Sequence, residues 1–388
     1  MAGNKRRIAV VTGSRADYGL LRETMKRLQA ANDVELQVVV CGMHLADRFG
    51  ATWRAVEADG FRIAARVDLQ LGEDTPEAVA HSTGIGVSGF ATALPKLAPD
   101  LVLLLGDRYE ILAAAAAATI LNIPIAHIHG GEVTAGAFDD AIRHAITKMA
   151  CLHFTAAEPY RCRVIQMGEN PACVFNVGAP GLDQAQSSAS SDRAEAERAL
   201  DVQGRYLLVT LHPTTAQPGA DAPTAKAMLG ALSRIADRAI VFTGVNADPG
   251  NSAIDAAIRG FVENNKARAR LYTSLGSERY WLALRHADAV VGNSSSGIVE
   301  APAVGTPSVN IGDRQRGRLR AASIIDCGVD EAQIFDAIRA ILDGRFRPDS
   351  SVPPPYGRGG ASARIVDILR SFDLGKAFPK GFNDLPAR

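Results

Sequence analysis

Residues Leu101–Glu132 read LVLLLGDRYEILAAAAAATILNIPIAHIHGGE. The run Leu101–Leu105 is apolar at every position and stops on Gly106-Asp107-Arg108. The alanine tract Ala113–Ala118 then reads as a closely packed, buried helix, and Ile125–Ile128 is a second apolar run that ends on His129-Gly130-Gly131-Glu132. Strand, turn, helix, strand and turn within about 30 residues make one βαβ unit. Strands without polar alternation are those covered by helices on both faces, as in a parallel sheet.

The same alternation extends outward from this unit. Upstream lie Ile8–Thr12 and Leu36–Cys41, and downstream lie Leu152–Thr155 and Val174–Val177. A break follows at Asn176–Asp183 (NVGAPGLD), with a polar stretch after it. The pattern then restarts with Tyr206–Leu211, Ala239–Thr243, Leu271–Thr273, Ala289–Gly292, Pro307–Ile311 and Ser323–Asp326. Near the end, the turn-rich SSVPPPYGRGG precedes a helical Ser362–Phe372. This predicts an α/β protein with two doubly wound, Rossmann-like domains, 1–180 and 181–360, and a C-terminal helix and tail, 361–388, packing back on the first domain. Two such halves facing one another across a cleft would line it with the C-terminal turns of both sheets.

Composition narrows the function classes. The 388 residues exceed one ordinary core. With 47% hydrophobic and 22% charged residues the chain is globular, and its 42 basic and 42 acidic side chains cancel. No net field is available to attract nucleic acid or an anionic membrane, so any anion must be held by local geometry. The cysteines Cys41, Cys151, Cys162, Cys173 and Cys327 are scattered without a CxxC pair, which argues against a disulfide framework or a thiolate zinc site. The longest apolar stretch, Ile111–Ile123, is interrupted by Thr119 and Asn122 and is too short for a bilayer. A cytoplasmic protein without membrane or nucleic-acid partners is expected.

Five turns carry the chemistry. Thr12-Gly13-Ser14-Arg15-Ala16-Asp17-Tyr18-Gly19 follows the first strand and is neither GxGxxG nor a Walker loop. It offers free N–H groups to a phosphate, with Arg15 as a clamp; the alternative is an N-cap turn with a surface arginine. In Gly106-Asp107-Arg108-Tyr109-Glu110, Asp107 sits at a strand end and a helix start, as a cleft-facing acid or as a cap. Glu132 ends the HGGE turn, and Asp139-Asp140 begin a helix with Arg143 and His144 one turn along. Converging carboxylates suit acid/base chemistry on a sugar, because crowding pushes their pKa values apart. A metal site of His127, His129 and Glu132 is the alternative, although HxH at a strand end lacks the helical HExxH spacing. His212 ends the first strand of the second domain and is either structural or catalytic. The turn Gly292-Asn293-Ser294-Ser295-Ser296-Gly297 presents hydroxyls and N–H groups to phosphate oxygens. Glu300, one turn on, suits ribose hydroxyls, and Arg314, Arg316 and Arg318 follow the next strand as diphosphate clamps or a solvated loop.

Together these turns resemble the hydrolysing UDP-N-acetylglucosamine 2-epimerases of sialic acid and legionaminic acid pathways. The carrying segments run from about Arg7 to Asp326: VTGSRADYGLL, CGMHLADRFG, LGDRYEI, HIHGGEVTAGAFDDAIRHAITKMACLHFTA, RVIQMGENPACVFNVG, VNADPG and GNSSSGIVEAPAVGTPSVNIGDRQRGR. The resemblance implies the GT-B fold and an elimination to a glycal followed by hydration, with no cofactor and no metal. It implies acid/base roles for Asp107, Glu132 and Asp139, with Asp140 adjacent, and assistance to the departing UDP by His212. It implies nucleotide or substrate contacts for Arg15, Asp17, His44, Arg108, Asn246, Ser294, Ser295, Ser296, Glu300, Arg314 and Arg318. The expected substrate is UDP-N-acetylglucosamine, with UDP-N,N′-diacetylbacillosamine or a GDP-linked hexosamine as alternatives, and the expected assembly is a homodimer or homotetramer. A glycosyltransferase of the same architecture would leave C2 untouched and needs at most one base on the first domain. A nucleotide-sugar sensor has no use for clustered acids.

Overall fold

A computed structural model describes residues 5–73, 75–133, 138–188, 191–213, 221–244, 251–349 and 351–384. The chain divides into two compact units, Met1–Asp183 with Gly360–Arg388, and Gln184–Gly359.

The first unit carries strands β1 (Arg6–Thr12), β2 (Val34–Cys41), β3 (Ile63–Val67), β4 (Leu101–Leu105), β5 (Ile125–Ile128), β6 (Leu152–Thr155) and β7 (Val174–Asn176). Helices α1 (Arg15–Ala30), α2 (Trp53–Ala58), α3 (Pro76–Leu97), α4 (Tyr109–Ile120), α5 (Phe138–Met149) and α6 (Glu158–Gln166) alternate with them. The sheet is parallel throughout, in the order β3-β2-β1-β4-β5-β6-β7. Alternate residues of β1 feed opposite faces: Ile8 and Val10 pack with Leu21, Met25 and Leu28 of α1, while Ala9 and Val11 pack with Phe90 of α3 and Ile111 of α4. Each large side chain fully buried here contributes roughly 1.5–3 kcal/mol.

The second unit carries α7 (Arg193–Ala199), β8 (Tyr206–Thr210), α8 (Asp221–Ser233), β9 (Ala239–Thr243), α9 (Asn251–Asn264), β10 (Ala269–Tyr272), α10 (Gly276–His286), β11 (Ala289–Gly292), α11 (Ser296–Ala303), β12 (Ser308–Ile311), β13 (Ile324–Cys327) and α12 (Glu331–Leu342). Its parallel sheet runs β10-β9-β8-β11-β12-β13. The last helix, α13 (Ala361–Ser371), belongs to the first unit and puts Ile365, Val366 and Leu369 into the core beside α1.

Both sheets therefore reverse strand order once, between β1 and β4 and between β8 and β11, where the doubly wound fold opens a crevice at the carboxyl ends of the strands. The sequence reading finds every strand but β3. Ile63–Val67 reads IAARV, an edge strand with alternating exposure and a surface arginine, so it has no continuous apolar run to announce it. Ala113–Ala118 lies in α4 and is buried except for the half-buried Ala116. Among the described residues, no helix is long and apolar enough to cross a membrane. Asn246 lies outside the described residues.

Candidate functional site

In the first unit the chemistry gathers on the turns after β1, β4 and β5. The turn after β1 is tied to itself. Ser14 caps α1, Asp17 Oδ2 accepts from Gly13 N at 2.7 Å and from Thr12 Oγ1 at 3.2 Å, and Ser14 Oγ donates to Asp17 Oδ1. His44 is fully buried; Nε2 meets Thr12 Oγ1 at 3.0 Å and Nδ1 meets Thr52 Oγ1 at 2.8 Å. Burial pushes its pKa down. Asp17 and His44 thus shape this turn, while Arg15 is exposed on it. Arg108 is paired with Glu110 at 3.2 Å, and Glu110 is completely buried against the turn after β1 and the start of the turn after β2.

The carboxylates of β4 and β5 do converge. Asp107 is held by Arg143, whose Nη1 also donates to His129 O at 2.9 Å. Burial raises the Asp107 pKa; Arg143 opposes the rise, and the nearby charges of Asp139 and Glu132 add to it. Glu132 Oε1 lies 2.5 Å from His129 Nδ1. Gly131, with φ of 79°, turns the chain so that Glu132 comes back beside the strand end; a Cβ there would sit 2.5 Å from Tyr160 O. At the start of α5, Asp139 acts on Asp107, whereas Asp140 pairs with His144 at 3.7 Å. His127 does not present its ring for a metal. It is fully buried, with Nε2 2.8 Å from Gly106 O and Nδ1 3.2 Å from Thr147 Oγ1.

The second unit builds its turns differently. Asn293, only 2% exposed, clamps His212 by two bonds: Oδ1 accepts from His212 N at 2.7 Å and Nδ2 donates to His212 O at 2.8 Å. The Asn293 carbonyl in turn accepts from Gln315 Nε2 at 2.9 Å and Arg314 Nη1 at 3.3 Å. Gly292 makes the close approach possible. Its φ is 138°, and a Cβ there would lie 1.8 Å from Thr210 O. Ser294 and Ser295 are half-buried at the start of α11, where Ser294 Oγ accepts from Ser296 N at 3.3 Å. Ser296 is buried and bonds Tyr280 OH and Glu300. Burial pushes Glu300 up, against the Ser296 bond and the charge of Arg318, and its Oε2 is buried with no hydrogen-bond partner among the described residues.

The turns of each unit thus bring most of the expected residues to the carboxyl ends of its strands. Sequence reasoning missed Asn293, Gln315 and Glu110. The signal for Asn293 was its place directly after the glycine ending β11; Glu110 and Gln315 reveal themselves only by burial.

Three comparisons show which known proteins the chain is similar to. The family model described as UDP-N-acetylglucosamine 2-epimerase matches residues 26–370. The chain is 36% identical to GDP/UDP-N,N′-diacetylbacillosamine 2-epimerase (hydrolyzing) of Campylobacter jejuni over 87% of this chain and 88% of that protein. It is also 36% identical to polysialic acid biosynthesis protein P7 of Escherichia coli, over 98% of each. Among solved structures, UDP-GlcNAc 2-epimerase from Neisseria meningitidis bound to UDP-GlcNAc superposes with a TM-score of 0.76 at 17% identity, over 94% of this chain and 99% of that one.

Proposed function

The chain belongs to the UDP-N-acetylglucosamine 2-epimerase family, and on that premise we propose that it is a hydrolysing 2-epimerase of UDP-N-acetylglucosamine. The observation that carries this reading is the convergence of Glu132 and Asp139 on a half-buried Asp107 whose pKa they help to raise. Two carboxyl groups in different protonation states are what removal of a proton from one face of C2 and its return to the other require.

In the proposed sequence a carboxylate takes the C2 proton while the C1–O bond to UDP breaks, leaving a C1–C2 double bond. Water adds its hydroxyl at C1 and gives up its other proton to solvent, while a carboxylic acid returns a proton to C2 from the opposite face, so the products are UDP and the free manno-configured sugar. Glu132, at hydrogen-bond distance from the His129 ring, is the candidate for the base that takes the proton. Asp107 is suited to hold the proton, because burial and like charge favour its neutral form. Asp139 is the third member and Asp140, engaged by His144, stands outside the exchange.

The nucleotide falls to the second unit. Ser294 and Ser295 offer hydroxyls and N–H groups to the diphosphate, Glu300 Oε2 is an acceptor for ribose hydroxyls, and His212, fixed by Asn293, assists the departing UDP. Arg15, Arg314 and Arg318 add positive charge, and Ser296 orients Glu300. Asp17, His44 and Arg108 hold the turns in place through their own hydrogen bonds and ion pair.

A second substrate is favoured by the Campylobacter relative, whose name gives the N,N′-diacetylbacillosamine sugar on GDP or UDP. Incubating the protein with UDP-N-acetylglucosamine, UDP-N,N′-diacetylbacillosamine and GDP-linked hexosamines in deuterated water separates these. One of them should release its nucleotide together with a 2-epimerised sugar carrying deuterium at C2. Nucleotide release without C2 exchange from any of them would sink the epimerase reading.

A further inference from the structure

We propose that His127, acting with Thr147, is a positioning residue for this reaction: a neutral strut that sets the Asp107 turn against the Glu132 turn and helix α5. The proposal rests on the epimerase reading above and adds two side chains that touch no substrate.

The geometry fixes the tautomer. His127 Nε2 lies 2.8 Å from the Gly106 carbonyl, which can only accept, so Nε2 carries the proton. Nδ1 then has a lone pair and needs a donor, and the group beside it is Thr147 Oγ1 at 3.2 Å. Thr147 has one hydroxyl proton and two acceptors in reach, Nδ1 and Arg143 O at 2.9 Å. Arg143 O lies inside α5, where backbone bonding supplies a donor. The hydroxyl proton is therefore best spent on the imidazole. Both side chains are completely buried, so no solvent competes for these bonds.

Three catalytic segments meet on this pair. Gly106 immediately precedes Asp107. Thr147 lies one turn beyond Arg143, the residue that grips both Asp107 and the His129 carbonyl. Gly130 packs on the pair so closely that a Cβ there would stand 3.0 Å from Thr147 Oγ1 and 3.2 Å from His127 Nδ1, which leaves the HGGE turn no freedom to slide. The contacts close a ring from Asp107 through Arg143, Thr147, His127 and Gly106 back to Asp107. The charged or titratable groups acting on the imidazole are His153 on β6, Arg143 on α5 and His129 on the turn; all three act in the same direction as burial, and together they outweigh the Gly106 bond and push its pKa down to about 3. A strut that stays neutral keeps its length as pH changes.

Misplacing a catalytic group by about 1 Å can cost on the order of 10²-fold in rate. His127→Ala should therefore lose ~10²-fold in kcat with KM for the nucleotide sugar within about two-fold of wild type. His127→Gln, whose amide nitrogen can still reach Gly106 O, should recover most of that loss, and His127→Asn, too short to reach, should not. Thr147→Val tests the same ring should His127→Ala fail to fold, with Thr147→Ser as its rescue. Histidine labelled with ¹⁵N provides a readout independent of turnover. The signal absent from His127→Gln should show the Nε2–H neutral tautomer, unchanged from pH 5.5 to 8.5.

An Nδ1–H tautomer, or titration within that range, overturns the strut. So does equal kcat for His127→Gln and His127→Ala, or a fall in Tm with kcat preserved. A wild type inert toward every nucleotide sugar sinks the reaction and with it the positioning role. Turnover by wild type matched by His127→Ala sinks the positioning role alone.

Discussion

The two units share a strand order around their reversal points yet place opposite chemistry on the turns that follow. After β4 and β5 the first unit brings Glu132 and Asp139 close enough to act on Asp107, which is held by the Arg143 guanidinium. After β8 and β11 the second unit uses a histidine, an asparagine and serines, and its carboxyl group there, Glu300, has a buried oxygen without a partner among the described residues. Crowded charge makes proton affinity adjustable, whereas neutral hydroxyls and amides bind without changing state. Under the proposed function, proton transfer at C2 falls to the first set of turns, and nucleotide holding with His212's help to the leaving group falls to the second, a division that substitution can break.

The largest effects should fall on the first unit. Asp107→Asn and Glu132→Gln should each lower kcat by ~10²–10⁴-fold, the range for removing a general acid or base, with deuterium incorporation at C2 falling in step. Ser294→Ala and Ser295→Ala should act mainly on KM, by about tenfold or less. Serine variants that lose kcat as heavily as Asp107→Asn would erase the division. Between neighbours in α5, Asp139→Asn should cost far more than Asp140→Asn, since Asp139 acts on Asp107 and Asp140 is engaged by His144.

Much of the fold was legible because buried parallel strands advertise themselves as apolar runs, and Leu101–Leu105 and Ile125–Ile128 have the bounds that the sequence reading gives them. Edge strand β3 was not, because half its residues face water. The turns were legible as motifs, but the division of labour inside them was not. Nothing in VTGSRAD tells that Asp17 turns back to Gly13 N, or that His44, from a distant segment, completes the same turn. Such choices are made by burial and by donors brought together only in the folded chain, and for that reason Asn293 also escaped notice.

Intermediate effects sharpen the comparison. Arg143 lowers the Asp107 pKa against the pull of burial, so Arg143→Gln should let Asp107 rise further. The limb of the kcat/KM profile that reports Asp107 should then move to higher pH, and a shift to lower pH would contradict the assignment. Asn293→Ala should free the His212 backbone and cost about 10–100-fold in kcat through misplacement. Asn293→Asp, which keeps the acceptor for His212 N but sets an oxygen against His212 O, should fall at least as far. Recovery in Asn293→Asp would show that one bond of the clamp suffices.

The smallest effect on turnover, and the sharpest control on the electrostatic argument, comes from a carboxylate outside these turns. Glu169 is 2% exposed, more deeply buried than Asp107, yet its pKa goes the other way. Burial would raise it, but hydrogen bonds from His153, Lys148 and Lys380 overcome that and hold it at about 2. The sign of the consequence is fixed. A carboxyl whose folded pKa lies below its unfolded value of about 4.3 contributes stability that is complete above that value and is lost as pH falls toward 2. A shift of this size is on the order of 3 kcal/mol. Urea unfolding of wild type and Glu169→Gln should therefore show a gap in stability that is widest near neutral pH and closes between about pH 4.5 and pH 2. kcat at neutral pH should stay near wild type, because Glu169 lies outside the turns assigned to the reaction. A gap that persists at pH 2 would mean that burial, not its three partners, governs Glu169. The contrast drawn between Asp107, where burial prevails over one guanidinium, and a fully partnered acid would then collapse.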